Sequence, residues 1–152
     1  MNNTLIEFFA TFFIWIMFAG LVVLWFVDGK IKKEQVLHAG LSIILAWTFA
    51  EMIKEIYHTT RPFILDGKDP LVLFIPAANG SFPSSHTAAA FALAITIWLH
   101  DKRVGALYLA AALAVGVARV LANVHYPIDI IGGAILGIIV SYVIEKAHIK
   151  TK

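Results

Sequence analysis

The sequence predicts an all-α protein: a polytopic transmembrane bundle of about five spans, with its N-terminus outside and its C-terminus cytoplasmic. Three observations predict it. Of 152 residues, 60% are hydrophobic and only 14% charged, too little charge to cover a soluble domain of this size. Apolar stretches near the roughly 20 residues that a span requires fill most of the chain. Finally, five crossings place every basic cluster on one side of the membrane, which the positive-inside rule makes cytoplasmic.

The spans are expected at about 5–27, 35–57, 84–100, 104–122 and 128–145. The first, from Leu5 to Val27, has no Lys or Arg before it and carries Glu7. It is also longer than the roughly 7–15 residues of a signal-peptide core, so a retained span is expected. Lys30, Lys32 and Lys33 follow it, Lys102 and Arg103 separate the third and fourth spans, and Lys146, Lys150 and Lys152 follow the fifth. One span more or fewer in the middle would scatter these clusters. The longest connection, 59–82, then lies outside; it holds RPF, the acidic patch DGKD, the apolar run LVLFIPA and a Gly-Ser break, and a membrane-skimming segment or a short amphipathic helix is expected in it. The fourth span is alanine-rich and the fifth opens GGAILG, with Gly133 and Gly137 four apart. Small residues at that spacing let backbones approach closely, so these two spans are expected to pack together.

Little room remains for a second domain, and residues 1–152 are read as one integral-membrane unit. The absence of cysteine excludes disulfides, thiolate metal ligands and a cysteine nucleophile. A net charge of +2 is too small to point to nucleic acid.

Most of the remaining polar residues stand at outer ends of spans: Lys54 and Arg61 after the second, Ser84, Ser85 and His86 opening the third, Arg119 closing the fourth, His125 and Asp129 opening the fifth. Each has an ordinary role available. The cations can snorkel to the interface, Ser84 can cap a helix, Asp129 can face a helix dipole, and a lone histidine is more often a satisfied polar residue than a catalyst. Their convergence on one face is what asks for more. Lys54 and Arg61, seven apart, share a face if the helix runs that far. Glu51 and Glu55 can neutralise part of Lys54; otherwise Asp129 is the counter-charge and the cluster lacks an anion. A charge at mid-bilayer costs roughly 2.5–3.5 kcal/mol, so unpaired cations imply water or a ligand. A phosphate dianion fits, with N–H donors from the helix that starts beside Ser84. A neutral imidazole can attack phosphorus and a protonated one can donate to the departing oxygen. Asp129, four residues after His125, can hold that ring in the tautomer that frees the attacking nitrogen.

These residues match the three-part signature of the type 2 phosphatidic acid phosphatase superfamily. Its parts are K-EIYHTT-RP from Lys54 to Pro62, PSSH from Pro83 to His86, and AR-VLANV-H-YPI-D from Ala118 to Asp129. The resemblance covers about residues 50–140. It implies a metal-independent lipid phosphatase without cofactor, acting through a phosphohistidine on His125 with Asp129 orienting the ring. His86 resembles the general acid and then the base that activates water. Lys54, Arg61, Ser84, Ser85 and Arg119 correspond to groups that hold the phosphoryl oxygens. Ser85 stands where the pattern has glycine, and Ala118 where it has serine. Membrane members commonly have six spans; the one missing here would precede the motifs, and a homo-oligomer is the expectation for what replaces that wall.

The expected substrate is undecaprenyl diphosphate, with phosphatidylglycerol phosphate, phosphatidic acid or a lipid A phosphate as alternatives. The expected location is a bacterial inner membrane with the site facing the periplasm. Two other classes are weighed against this one. A metal-dependent hydrolase using His86, His125 and Asp129 as ligands is opposed by three surrounding cations. A non-enzymatic binder or transporter of a phosphorylated lipid needs the cations but no aligned nucleophile. Vanadium-dependent haloperoxidases share the site but are soluble and larger.

Overall fold

A computed structural model describes residues 3–27 and 33–149, and its elements among these residues are seven helices and no strands. They are α1 (Asn3–Thr11), α2 (Phe13–Val27), α3 (Lys33–Ile56), α4 (Pro62–Asp66), α5 (Ser85–His100), α6 (Lys102–Leu121) and α7 (Pro127–Ile149). The starts follow local chemistry. Ser84 caps α5 by accepting from the Thr87 amide, and Asp101 caps α6 by accepting from the Arg103 and Val104 amides. Pro62 and Pro127 stand at first helical positions, where the missing N–H costs nothing.

α5 is the axis of the bundle. Nearly all of it, from Ser85 to Ile97, is buried, and α3, α6 and α7 pack around it. A helix apolar on every side is stable only when enclosed, and its alanines let three neighbours come close. The outer surface is apolar instead: Trp15, Phe26, Ile44, Leu107, Ile128 and Ile139 are exposed. Buried hydroxyls tie the centre together, with Thr96 donating to Ser42 and Ser141 donating to the Ala92 carbonyl at 2.8 Å. Apolar outside and polar within is the arrangement that lipid selects.

Three helices are long and apolar enough to cross a membrane, within Glu34–Ile56, Lys102–Leu121 and Pro127–Ala147. The bent pair α1–α2 would make a fourth. α5 has 16 residues, about 24 Å of helix, and falls short by length. The expected first span is therefore not one helix: it bends by 54° between Thr11 and Phe13. The physical reason lies in α6, where Arg119 Nη1 donates to the Ala10 carbonyl at 3.0 Å. A side chain that captures a helical carbonyl opens the ladder at that point. In the 59–82 connection the short helix is α4, while the apolar run at 71–77 forms no helix. Of the basic clusters, Lys30, Lys32, Lys150 and Lys152 lie outside the described residues.

The expected pairing of the fourth and fifth spans is corrected. α7 packs chiefly on α5 and α3 and meets α6 marginally, because its Gly133 and Gly137 lie against the backbone of α5 and its N-cap. A Cβ on Gly133 would lie 2.5 Å from the Ser84 carbonyl oxygen, and one on Gly137 would lie 2.3 Å from that of Ala88. Backbone cannot yield as a side-chain tip can. Gly137→Ala is therefore expected to destabilise by about 1–3 kcal/mol, the usual scale of overpacking, measured as a lowered thermal midpoint in detergent. An unchanged midpoint would mean that α5 and α7 separate freely.

Candidate active site

The site is assembled where α3, α5, α6 and α7 end on one side of the bundle, closed by the 59–82 connection. Two pieces of that connection zip together: Thr60 bridges Asn79, the Arg61 amide donates to the Ala78 carbonyl, and the Ser81 amide donates to that of Thr59. This pairing sets Arg61 beneath a turn at Gly80, whose φ of +81° suits glycine. Arg61 is buried and almost fully committed. Its Nε donates to the Ala77 carbonyl at 2.8 Å, Nη2 to Gly80 at 3.1 Å and Nη1 to Val124 at 2.8 Å.

Arg61 Nη1 also lies 3.3 Å from His125 Nε2. Since a guanidinium only donates, Nε2 presents its lone pair and Nδ1 carries the proton. Nδ1 is buried without an aligned hydrogen-bond partner, and Asp129 Oδ2 lies 3.4 Å from it. That oxygen accepts from Ser81 Oγ at 2.5 Å and from the Tyr126 amide at 2.8 Å, so the carboxylate is anchored apart from the histidine. Burial pushes the His125 imidazole down to about 4; Asp129 opposes the shift, while Arg119 and Arg61 add to it. Between its ordinary value and about 4 the unfolded chain takes up a proton that the folded one refuses. His125 thus contributes stability above the ordinary histidine range that is lost as pH falls toward 4.

His86, in the first turn of α5, lies with its ring 4.9 Å from that of Trp47. Lys54 donates to Glu51 Oε1 at 2.8 Å and to Ser85 Oγ, and Ser85 Oγ in turn donates to Glu51 Oε1 at 2.5 Å. Arg119 keeps Nη1 on the Ala10 carbonyl, but its Nε is buried with no partner. A buried guanidinium N–H without an acceptor is costly, and here it belongs to a residue that lines a cavity. That cavity, of about 400 Å³, is lined by Lys54, Arg61, Ser85, His86, Arg119 and His125, together with Glu51, Glu55 and His58.

Six of the eight residues singled out from sequence therefore share one cavity. Asp129 stands behind His125, and Ser84 is fully buried with its hydroxyl engaged as a cap. One expectation is corrected: α3 ends at Ile56, so Lys54 and Arg61 do not share a helical face, and Arg61 comes from the turn before α4. Of the two carboxylates able to neutralise Lys54, Glu51 is paired with it. The anion deficit rests on Arg61 and Arg119. Sequence reasoning missed Ser81 and Trp47. Trp47, seven residues before Lys54, carries the two-turn spacing that marks a shared face, whereas no local pattern singles out Ser81.

An apolar-surfaced helical bundle whose polar cavity gathers Lys54, Arg61 and Arg119 with His86 and His125 has the make-up of a membrane phosphatase. Residues 35–151 match the family model described as the PAP2 superfamily, and the chain belongs to that superfamily. It is 31% identical over 140 residues to the protein of Bacillus licheniformis named bacitracin transport permease protein BcrC, covering 91% of this chain and 68% of that one. It is 29% identical over 122 residues to the undecaprenyl-diphosphatase BcrC of Bacillus subtilis (strain 168), covering 80% of this chain and 62% of that one. The chain thus spans about two thirds of the length of these relatives. Among solved structures, LpxE of Aquifex aeolicus superposes with a TM-score of 0.77 at 29% identity, covering 96% of this chain and 88% of that one.

Proposed function

We propose that the chain hydrolyses the terminal phosphate of undecaprenyl diphosphate through a phosphohistidine on His125. The observation that carries this reading is the His125 ring itself: Nδ1 toward Asp129, Nε2 toward the cavity that holds His86 and the cations. The name of the Bacillus subtilis relative favours the substrate.

Nε2 attacks the terminal phosphorus as the bridging P–O bond breaks, and His86 gives its proton to the departing lipid phosphate. Asp129 holds the ring as positive charge develops on it. Lys54, Arg61, Arg119 and Ser85 receive the equatorial oxygens, and Arg119 Nε gains the acceptor it lacks. His86, now neutral, takes a proton from water as that water attacks phosphorus; the P–Nε2 bond breaks, its electron pair returns to His125, and inorganic phosphate leaves. Undecaprenyl phosphate and phosphate are the products, and no metal takes part.

In this reading α5 counts as a fifth crossing shielded by its neighbours. Lys102, Arg103 and Lys146 mark the cytoplasmic side, and the cavity opens to the periplasmic side of a bacterial inner membrane. A partner copy covers the wall that a sixth span would supply.

The test is phosphate release by purified protein from undecaprenyl diphosphate, phosphatidylglycerol phosphate, phosphatidic acid and a lipid A phosphate, with and without EDTA. Release is expected to be fastest from the first, with the initial rate unchanged by chelator. A faster rate on another lipid reassigns the substrate, and lipid binding without release would point to a non-enzymatic binder. A pH profile adds a second check. Because His125 stays neutral down to about 4, the acid limb of kcat/KM assigned to it should fall near that pH. A limb at the ordinary histidine range would mean that the group titrating is not this one.

A further inference from the structure

We propose a second site, a divalent transition-metal site formed by His38, His100 and Glu145 at the end of the bundle remote from the cavity. The three residues come from α3, α5 and α7, the helices that carry Lys54, His86 and Asp129 at their other ends. His100 closes α5 and His86 opens it. The 14 helical steps from His86 to His100 put the two sites about 21 Å apart, too far for this group to touch the substrate.

Three donor atoms converge as metal ligands do. His38 Nδ1 and His100 Nε2 each lie 3.3 Å from the same Glu145 oxygen, Oε2, and the three atoms all lie within 4.8 Å of one another. The His38 contact is a long hydrogen bond; charge-assisted N–H···O bonds are usually about 2.7–2.9 Å. Zinc bonds to imidazole nitrogen and carboxylate oxygen are roughly 2.0–2.2 Å, and a tetrahedron of that size has edges of about 3.3–3.6 Å. Both 3.3 Å separations fall on that edge. Two neutral imidazoles and a carboxylate form a donor set that suits Zn²⁺ and its first-row neighbours, with a fourth position for water. Nearby Lys102 turns its ammonium over the Trp98 ring, 4.8 Å from the centroid, which gives that charge a place of its own. The side chains are partly buried, with His38 13%, Glu145 20% and His100 23% exposed, so an ion can enter from the aqueous side and remain held.

Such an ion pins three helices by the ends opposite the catalytic groups. Its removal acts on stability rather than on the initial rate.

The experiment uses the full chain, purified in detergent without a polyhistidine tag and stripped by dialysis against chelator. Zn²⁺ is titrated by calorimetry and Co²⁺ by its visible absorption. Expected are one equivalent bound at micromolar Kd or tighter, a four-coordinate Co²⁺ spectrum, and a thermal midpoint raised by Zn²⁺. Glu145→Gln should weaken binding at least about tenfold, and His100→Gln, at a helix end, should do the same if the first variant does not fold. His125→Ala should bind as the parent chain does. The proposal is overturned if neither metal binds below millimolar concentration. It is equally overturned if binding survives His100→Gln or vanishes in His125→Ala, since either places the ion elsewhere.

Discussion

His125→Ala is expected to reduce phosphate release to background, a loss on the order of 10⁴–10⁶ in kcat, as when a nucleophile is removed from other covalent hydrolases. The fold should survive. Asp129 keeps its bonds from Ser81 Oγ and the Tyr126 amide, and Arg61 keeps its three carbonyls, so no buried charge is left without partners. The check is phosphate release alongside the thermal midpoint of the same preparation. A variant that folds and retains a tenth of the parent rate would remove His125 as the nucleophile. Trapping the intermediate adds a direct test: radiolabelled phosphate should remain on the parent chain after rapid denaturation at alkaline pH, and not on the variant.

The second large effect is expected at Arg119. Its Nε is a buried donor without an acceptor in a residue that lines the cavity, and in the proposed function it meets the charge that arrives with the substrate. Removing one such preorganised donor costs about 10²–10³ in kcat, and Arg119→Ala is expected to fall in that range. The same substitution strips Nη1 from the Ala10 carbonyl, so it should also loosen the bend between α1 and α2. Arg119→Lys separates the two roles. An ammonium can reach a carbonyl but cannot reproduce a guanidinium's fixed fork. Stability should recover toward that of the parent chain while kcat stays low; recovery of both would show that a point charge suffices there.

Much of the site was legible in the sequence because its chemistry is carried by residue types that are rare in lipid. A histidine or arginine inside an apolar stretch stands out, and the spacings around Lys54, His86 and His125 join these residues into one signature. The helices were legible for the same reason, since apolar length is read directly along the chain. Misreadings occurred where the outcome depended on a distant partner. The first span looked continuous because nothing between Leu5 and Val27 announces that Arg119 will take the Ala10 carbonyl, 109 positions away. Gly133 and Gly137 announced a close approach without saying to which helix.

The sequence by itself determined the class, a helical membrane bundle, and singled out most of the polar residues that gather in its cavity. Composition and spacing are one-dimensional properties, and the bilayer converts them almost directly into helices. Tertiary structure alone decided how those side chains are spent. Ser81 reaches Asp129 across 48 positions, and Ser85 reaches Glu51 across 34. Arg61 gives most of its donors to backbone while Arg119 keeps one in reserve. These pairings arise because buried polar groups must find partners, and which partner lies within about 3 Å is settled only when the helices have packed around α5.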